Sequence, residues 1–363
     1  MLFILNSTIQ NINPESEVQC RSLCSLLMAY QSGHHMLFIE MDDLRILRER
    51  LGKSLGIAGE KALQSLYNKL PTFKAVVSQV SSAVIVHIDE NEGAVPIKKE
   101  GSWYVPITYF APGVLQSVIL GENDRDAELY IQLAKQYRDE KKIFGYHPAA
   151  RPRSGGGSGI VKVLENYIAS EVSPCLCITD SDKFYPGSGK STAVRGCEEL
   201  SQTNTRILEY LLLEEREIEN FLPKSLLERA NPDFEYFVEK VNSIKGYKHD
   251  MWSYLDLKEG IKLDWIQKRD APTQEYWSCV KEHLEQQRAK CNKCKNTSGV
   301  NCTCCMITGI GDKVLDKCIN FLQNNPPRLK KGVFQSDTRW HAVGKLAFSF
   351  LIAPSGENAR VRA

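Results

Sequence analysis

Short, unbroken apolar runs alternate along the middle of the chain with helix-length segments that carry one apolar face. Residues 114–121, 143–146, 175–179 and 205–213 read as strands, because continuous apolar runs bounded by turn residues are how strands of a parallel sheet look. Between them, Leu129, Tyr130, Leu133, Ala134 and Tyr137 recur at helical spacing, and 160–170 and 194–199 read as further helices. Strand and helix in strict alternation predict a parallel, doubly wound sheet. Upstream, 17–30 reads as a helix and 35–40 as a strand. A helical stretch over 42–70 is interrupted near Gly52, Gly56 and Gly59, 75–88 reads as one or two strands, and 104–107 closes the region. Downstream, 224–229, 234–241, 274–290, 312–323 and 336–352 read as helices. The expected fold class is α/β. A Rossmann-like parallel sheet over 113–225 follows an α/β module (1–112) and precedes a mostly helical region (226–363).

The chemistry gathers where these strands end. Ligand crevices of open α/β sheets lie at the carboxyl ends of the strands. Glu122 follows the first central strand, Asp180 and Asp182 follow 175–179, and Glu217 and Glu219 follow the last. Two carboxylates at i and i+2 can reach one hard divalent cation. The segment Arg151-Pro152-Arg153-Ser154-Gly155-Gly156-Gly157-Ser158-Gly159 reads either as a linker or as a loop whose Gly156, Gly157 and Ser158 hold a phosphate at a helix start. Pro186-Gly187-Ser188-Gly189-Lys190-Ser191-Thr192 looks like the end of a P-loop, but Phe184 stands where the pattern needs its first glycine. His34, His35 and His87 sit beside apolar runs and read as packed or solvated rather than as ligands.

Composition narrows the classes. Lys and Arg total 46 against 44 Asp and Glu, a net charge of +2, so no global attraction to a polyanion is visible. No apolar run approaches the roughly 18 residues that span a bilayer; 346–353 comes nearest and reads as a buried helix. The first residues lack a signal pattern, so a cytoplasmic address, without a membrane, is expected. The chain has 12 cysteines, which without an export signal point to thiols or metal. Cys291-x2-Cys294 and Cys302-x2-Cys305 suit a structural zinc, with Cys304 leaving the ligand choice open. Lys330, Lys331, Arg339, Lys345, Arg360 and Arg362 make the last part locally basic, which reads as solvated surface ahead of a contact to a nucleic-acid backbone.

Gly121-Glu122-Asn123-Asp124, Gly155-Gly156-Gly157, Asp180-Ser181-Asp182 and Glu217-Ile218-Glu219-Asn220-Phe221-Leu222 together resemble a TOPRIM domain. The likeness is to the overcoming-lysogenization-defect-like nucleases and related stand-alone TOPRIM proteins of bacterial anti-phage systems. It covers 114–225, under a third of the chain, and departs at Leu120-Gly121-Glu122-Asn123, where the family more often has an apolar residue and then Glu-Gly. The resemblance implies Mg²⁺ or Mn²⁺ and the making or breaking of phosphodiester bonds. Asp180 and Asp182 would be metal ligands, Glu122 a ligand or the general base, Glu217 or Glu219 the completing acid, and Lys183 an offset to phosphate charge. It further implies a nuclease acting on DNA or RNA as an anti-phage effector. From this follow a separate ATPase or sensor as controlling partner and room for a homo-oligomer. The alternatives are an RNA-processing or nucleotidyl-transferring TOPRIM protein, and a non-catalytic zinc-containing scaffold.

Overall fold

The structure, a computed structural model, describes residues 1–52, 54–89, 95–292, 302–325 and 337–355. Contacts divide the chain into two compact units: Met1–Ile178, Gly196–Leu211 and His341–Ala363 form the first, and Thr179–Arg195 with Leu212–Trp340 the second. Each unit thus draws on stretches that are far apart in the chain.

The first unit begins with β1 (Leu2–Leu5), α1 (Glu17–Gln31), β2 (Met36–Ile39), α2 (Met41–Leu51) and α3 (Gly56–Lys69). It continues with α4 (Lys74–Val77), β3 (Val84–His87), β4 (Ile97–Lys99) and β5 (Ser102–Pro106). These strands form a sheet in the order β2-β1-β3-β5-β4, parallel except where β4 pairs with β5. All four β2 residues are buried and β1 nearly so, as a sheet covered on both faces requires. The sequence suggests only strands over 75–88. The start of that stretch instead continues the helical turns after Pro71, since a three-residue apolar run is too short for strand propensity to override its context.

The second sheet holds β6 (Ser117–Gly121), β8 (Ala150–Ser154), β9 (Cys175–Thr179) and β10 (Leu208–Leu212), in the order β10-β9-β6-β8 and all parallel. Helices α5 (Asp124–Glu140), α6 (Ile160–Ser170) and α7 (Thr192–Thr203) connect its strands. The apolar stripe read on α5 is buried in full: Leu129, Tyr130, Leu133, Ala134 and Tyr137. The protein is therefore a mixed α/β fold with a parallel sheet, as expected.

Three local readings need correction. Residues 151–159 are not a loop throughout, because 150–154 form the edge strand β8, with Pro152 opposite Ile119 of β6. An edge strand tolerates proline, and Glu171 neutralises Arg151 and Arg153 across the turn, the latter at 3.0 Å. The strand read at 143–146 lies later, as β7 (Tyr146–Pro148), and pairs antiparallel with β13 (Ile352–Pro354). That pairing also ends the last helix, α15 (Thr338–Leu351), before the end of the apolar run over 346–353.

The second unit is mostly helical: α8 (Ile218–Phe221), α9 (Lys224–Ala230), α10 (Phe234–Asn242), α11 (Leu263–Gln267), α12 (Ala271–Tyr276), α13 (Ser278–Lys290) and α14 (Val314–Asn324). A small antiparallel pair that the sequence does not suggest, β11 (Gly260–Lys262) with β12 (Met306–Thr308), interrupts them. Phe234 and Phe237 of α10 meet Trp252 edge-on at 5.7 and 6.2 Å. Each such pair adds about 1 kcal/mol beyond burial.

Candidate functional site

In the first unit the end of β6 is built for close backbone approach. A Cβ on Gly121 would stand 2.8 Å from Asp126 Cβ and 2.9 Å from Ala127 N, so glycine lets α5 start at once. Asn123 caps that helix, and Asp126 accepts its backbone N–H at 2.9 Å. Glu122, between them, is half-buried. The glycine-rich turn closes over this strand end: Gly155 N–H donates to Gly121 O at 2.8 Å and Gly157 N–H to Glu122 O at 3.0 Å. Gly156 and Gly157 hold φ of 66° and 64°, which glycine alone adopts freely. Gly156 N–H donates to Ser154 Oγ at 3.3 Å and Gly159 N–H to Gly156 O at 3.4 Å. The amides of Gly156 and Gly157, read as phosphate donors, are thus spent on holding the turn and the Glu122 backbone, and Ser158 beside them is exposed. The charge of Glu122 also reaches the buried Cys177 thiol, whose pKa is held up by its hydrogen bond to Cys197, by burial and then by neighbouring negative charge.

In the second unit the corner after Thr179 is pinned by its backbone. Ser181 is buried; its N–H donates to Glu215 O at 3.1 Å and its Oγ–H to the same oxygen at 2.7 Å. Asp182 N–H donates to Arg216 O at 3.0 Å, and Asp182 takes φ 56°, a left-handed conformation that aspartate tolerates better than most residues. Lys183 N–H donates to Ser181 Oγ at 3.3 Å. Fixed this way, the backbone leaves Asp180 half-buried, Asp182 exposed and Lys183 half-buried. Among the described residues, Lys183 forms no ion pair.

The acids after β10 are placed differently. Glu215 is buried and bonded to Arg339. Arg339, read as plain solvated surface, is therefore exposed but anchored. Glu217 caps α8, with its N–H donated to Asn220 Oδ1 at 3.3 Å. Arg216 Nε lies 3.3 Å from Glu217 and its Nη2 3.2 Å from Asp256. Lys258 Nζ stands 3.3 Å from Glu217 and 3.4 Å from Glu219. Burial opposes the Lys258 charge, but Glu219 and Glu217 together outweigh it and hold the pKa above the usual lysine value. Both acids, which the sequence offers as completing a metal site, share the Lys258 ammonium group. Nothing in the sequence marks Lys258 as the partner of Glu217 and Glu219, or Arg339 as that of Glu215, since both cations sit in ordinary charged stretches.

Beside this network runs a set of half-exposed aromatic rings that sequence reading missed. Phe184 and Trp265 meet edge-on at 5.4 Å, and the Arg269 guanidinium lies 4.1 Å from the first ring centre and 4.7 Å from the second. Arg216 faces the same two rings at 5.2 and 5.7 Å. Trp277 Nε1–H donates to Phe184 O at 2.9 Å and fixes that ring's backbone. Among the described residues Arg269 has no carboxylate partner.

Elsewhere, a cleft of about 760 Å³ in the first unit, lined by Arg21, His34, Arg151 and Glu171 among others, holds none of the strand-end acids. His35 is packed: it is 1% exposed, its Nε2–H donates to Leu115 O at 2.7 Å, and burial pushes its pKa well down. The one group of three metal-binding side-chain atoms within 4.8 Å of one another, among the described residues, is Cys291, Cys302 and Cys304. Cys294, Lys330, Lys331, Arg360 and Arg362 lie outside the described residues. No helix of the described residues is long and apolar enough to cross a membrane. Comparison with family models, curated proteins and solved structures returned no match.

Proposed function

We propose that the chain is a metal-dependent nuclease that hydrolyses phosphodiester bonds of DNA or RNA, on a TOPRIM-like sheet. One observation carries the reading. Glu122 and Asp180 directly follow β6 and β9, and these strands are parallel neighbours in one sheet, where such folds bind ligands. The donor chemistry of Asp180 and Asp182 fits a hard cation, with oxygens at a half-buried and an exposed position. Glu217 and Glu219 fit less well, because Lys258 already lies between them. Their role in this reading is to hold Lys258. A bound Mg²⁺ or Mn²⁺ would polarise the phosphoryl group and lower the pKa of water.

The chain's own residues supply the rest. The rigid Ser181–Glu215 contact fixes where Asp180 and Asp182 start, which is the positioning such chemistry depends on. Lys183 offsets phosphate charge. Phe184, Trp265 and Arg269 favour a polyanion with exposed bases, since bases stack on aromatic rings and arginine meets phosphate. The effector role and the separate ATPase or sensor partner come with the TOPRIM resemblance and belong to the same proposal.

The test is cleavage of plasmid DNA and of total tRNA in Mg²⁺, Mn²⁺ or EDTA, by the wild type, Glu122→Gln and Asp180→Asn. The expected result is metal-dependent cleavage reduced about 10²-fold or more in each variant, the usual scale for losing one electrostatic contact to the reacting group. Cleavage that survives EDTA, or is unchanged in both variants, contradicts the proposal.

A further inference from the structure

The thiols of Cys291, Cys302 and Cys304 converge from two separate stretches of the second unit. Cys291 closes α13 as its C-terminal cap. Cys302 opens the short turn Thr303–Cys305, where Cys305 N–H donates back to Cys302 O at 2.9 Å. Sγ of Cys302 lies 3.6 Å from that of Cys291 and 3.2 Å from that of Cys304. Sγ of Cys305 lies 3.6 Å from that of Cys304.

These separations exclude a disulfide, whose sulfurs would stand about 2.05 Å apart. They approach the roughly 3.8 Å that separates sulfurs arranged tetrahedrally about Zn²⁺ with Zn–S bonds of about 2.3 Å. The four thiols are only partly buried, so hydrophobic packing does not explain why they gather. Arg288 and Lys290 in the last turn of α13 supply positive charge beside the thiolates that a metal would require.

We infer that Cys291, Cys302 and Cys304 form a zinc–thiolate centre. Thiolates are soft ligands and select Zn²⁺ over Mg²⁺ or Ca²⁺. Each ligating thiol gives up its proton to solvent as its sulfur binds the ion. The centre joins two separate stretches of the chain, as structural zinc sites do. It ties the end of α13 to β12, and β12 pairs with β11, so it braces the strand that follows Lys258. This inference is independent of the nuclease proposal. It also gives Cys304, a surplus thiol inside the second Cys-x2-Cys pair, a place among the ligands.

The test uses the full chain purified without chelator. The expected results are one zinc per chain and, after exchange with Co²⁺, a thiolate-to-cobalt charge-transfer band in the near ultraviolet. Cys302→Ser and Cys304→Ser should lose both, while Cys279→Ser, a half-buried thiol of α13 outside the set, should keep both. In case the serine variants do not fold, alkylation of the wild type read by mass spectrometry supplies a second arm. Zinc should protect Cys291, Cys302 and Cys304, and a chelator should expose them. A chain that binds neither zinc nor Co²⁺, variants that keep the metal, or thiols alkylated equally with and without it would overturn the assignment.

Discussion

Two acidic segments of the second unit follow neighbouring strands and look alike in sequence, yet they are built in opposite ways. After β9 the backbone is what is pinned: Ser181 is buried and bonded to Glu215 O, whereas the Asp182 side chain is exposed. After β10 the side chains are what is pinned: Glu215 is held by Arg339, and Glu217 and Glu219 by Lys258. The first arrangement presents the Asp182 carboxylate from a rigid corner that solvent reaches. The second matches buried carboxylates with cations of the same unit, as buried charge must be. An acid at a strand end is therefore not by itself a ligand, and what decides is how deeply the fold has already committed its side chain.

The largest effect is expected at Lys258. Lys258→Met leaves Glu217 and Glu219 facing each other without that cation. We expect a loss of about 2–3 kcal/mol in urea unfolding, below the full cost of orphaning a buried charge because Lys258 keeps some contact with water. Its pKa is raised in the folded state, so its stabilising effect is complete below about pH 10.5 and fades as pH rises above that value. Stability followed into the alkaline range should fall more steeply for the wild type than for Lys258→Met. Equal slopes would show that the pair contributes nothing.

At the solvent-facing corner the cost should come from the backbone rather than from charge. Asp182 holds φ 56°, so Asp182→Val should lose about 1–2 kcal/mol, while Asp182→Gly should be neutral or slightly stabilising. Equal losses in both would mean that the carboxylate, not the turn, is what matters to the fold. The smallest effect is expected at half-buried Asp180: Asp180→Asn keeps the side chain's size and one oxygen acceptor and should change stability by no more than about 0.5 kcal/mol. A loss of several kcal/mol there would place Asp180 with the acids that follow β10.

Much of this arrangement is legible in the sequence because it rests on local pattern. The apolar runs of β6 and β9 and the spaced stripe of α5 dictate their own burial. Glu122 and Asp180 stand out because they end such runs. His35 beside an apolar strand is packed as read. The misses are non-local. β8 hides as Arg-Pro-Arg because its charges are matched by Glu171, reached only through the turn after α6. The partners of Glu215, Glu217 and Glu219 come from residues 258 and 339, and no spacing rule links positions so far apart. The aromatic set depends likewise on Phe184 meeting Trp265 and Arg269, which short-range periodicity does not register.

Calorimetric titration of Mn²⁺ into the wild type, Asp180→Asn and Glu219→Gln separates the two acidic segments in one experiment. We expect Asp180→Asn to lose Mn²⁺ binding and Glu219→Gln to retain it. Binding that survives Asp180→Asn but disappears in Glu219→Gln would contradict the distinction between them.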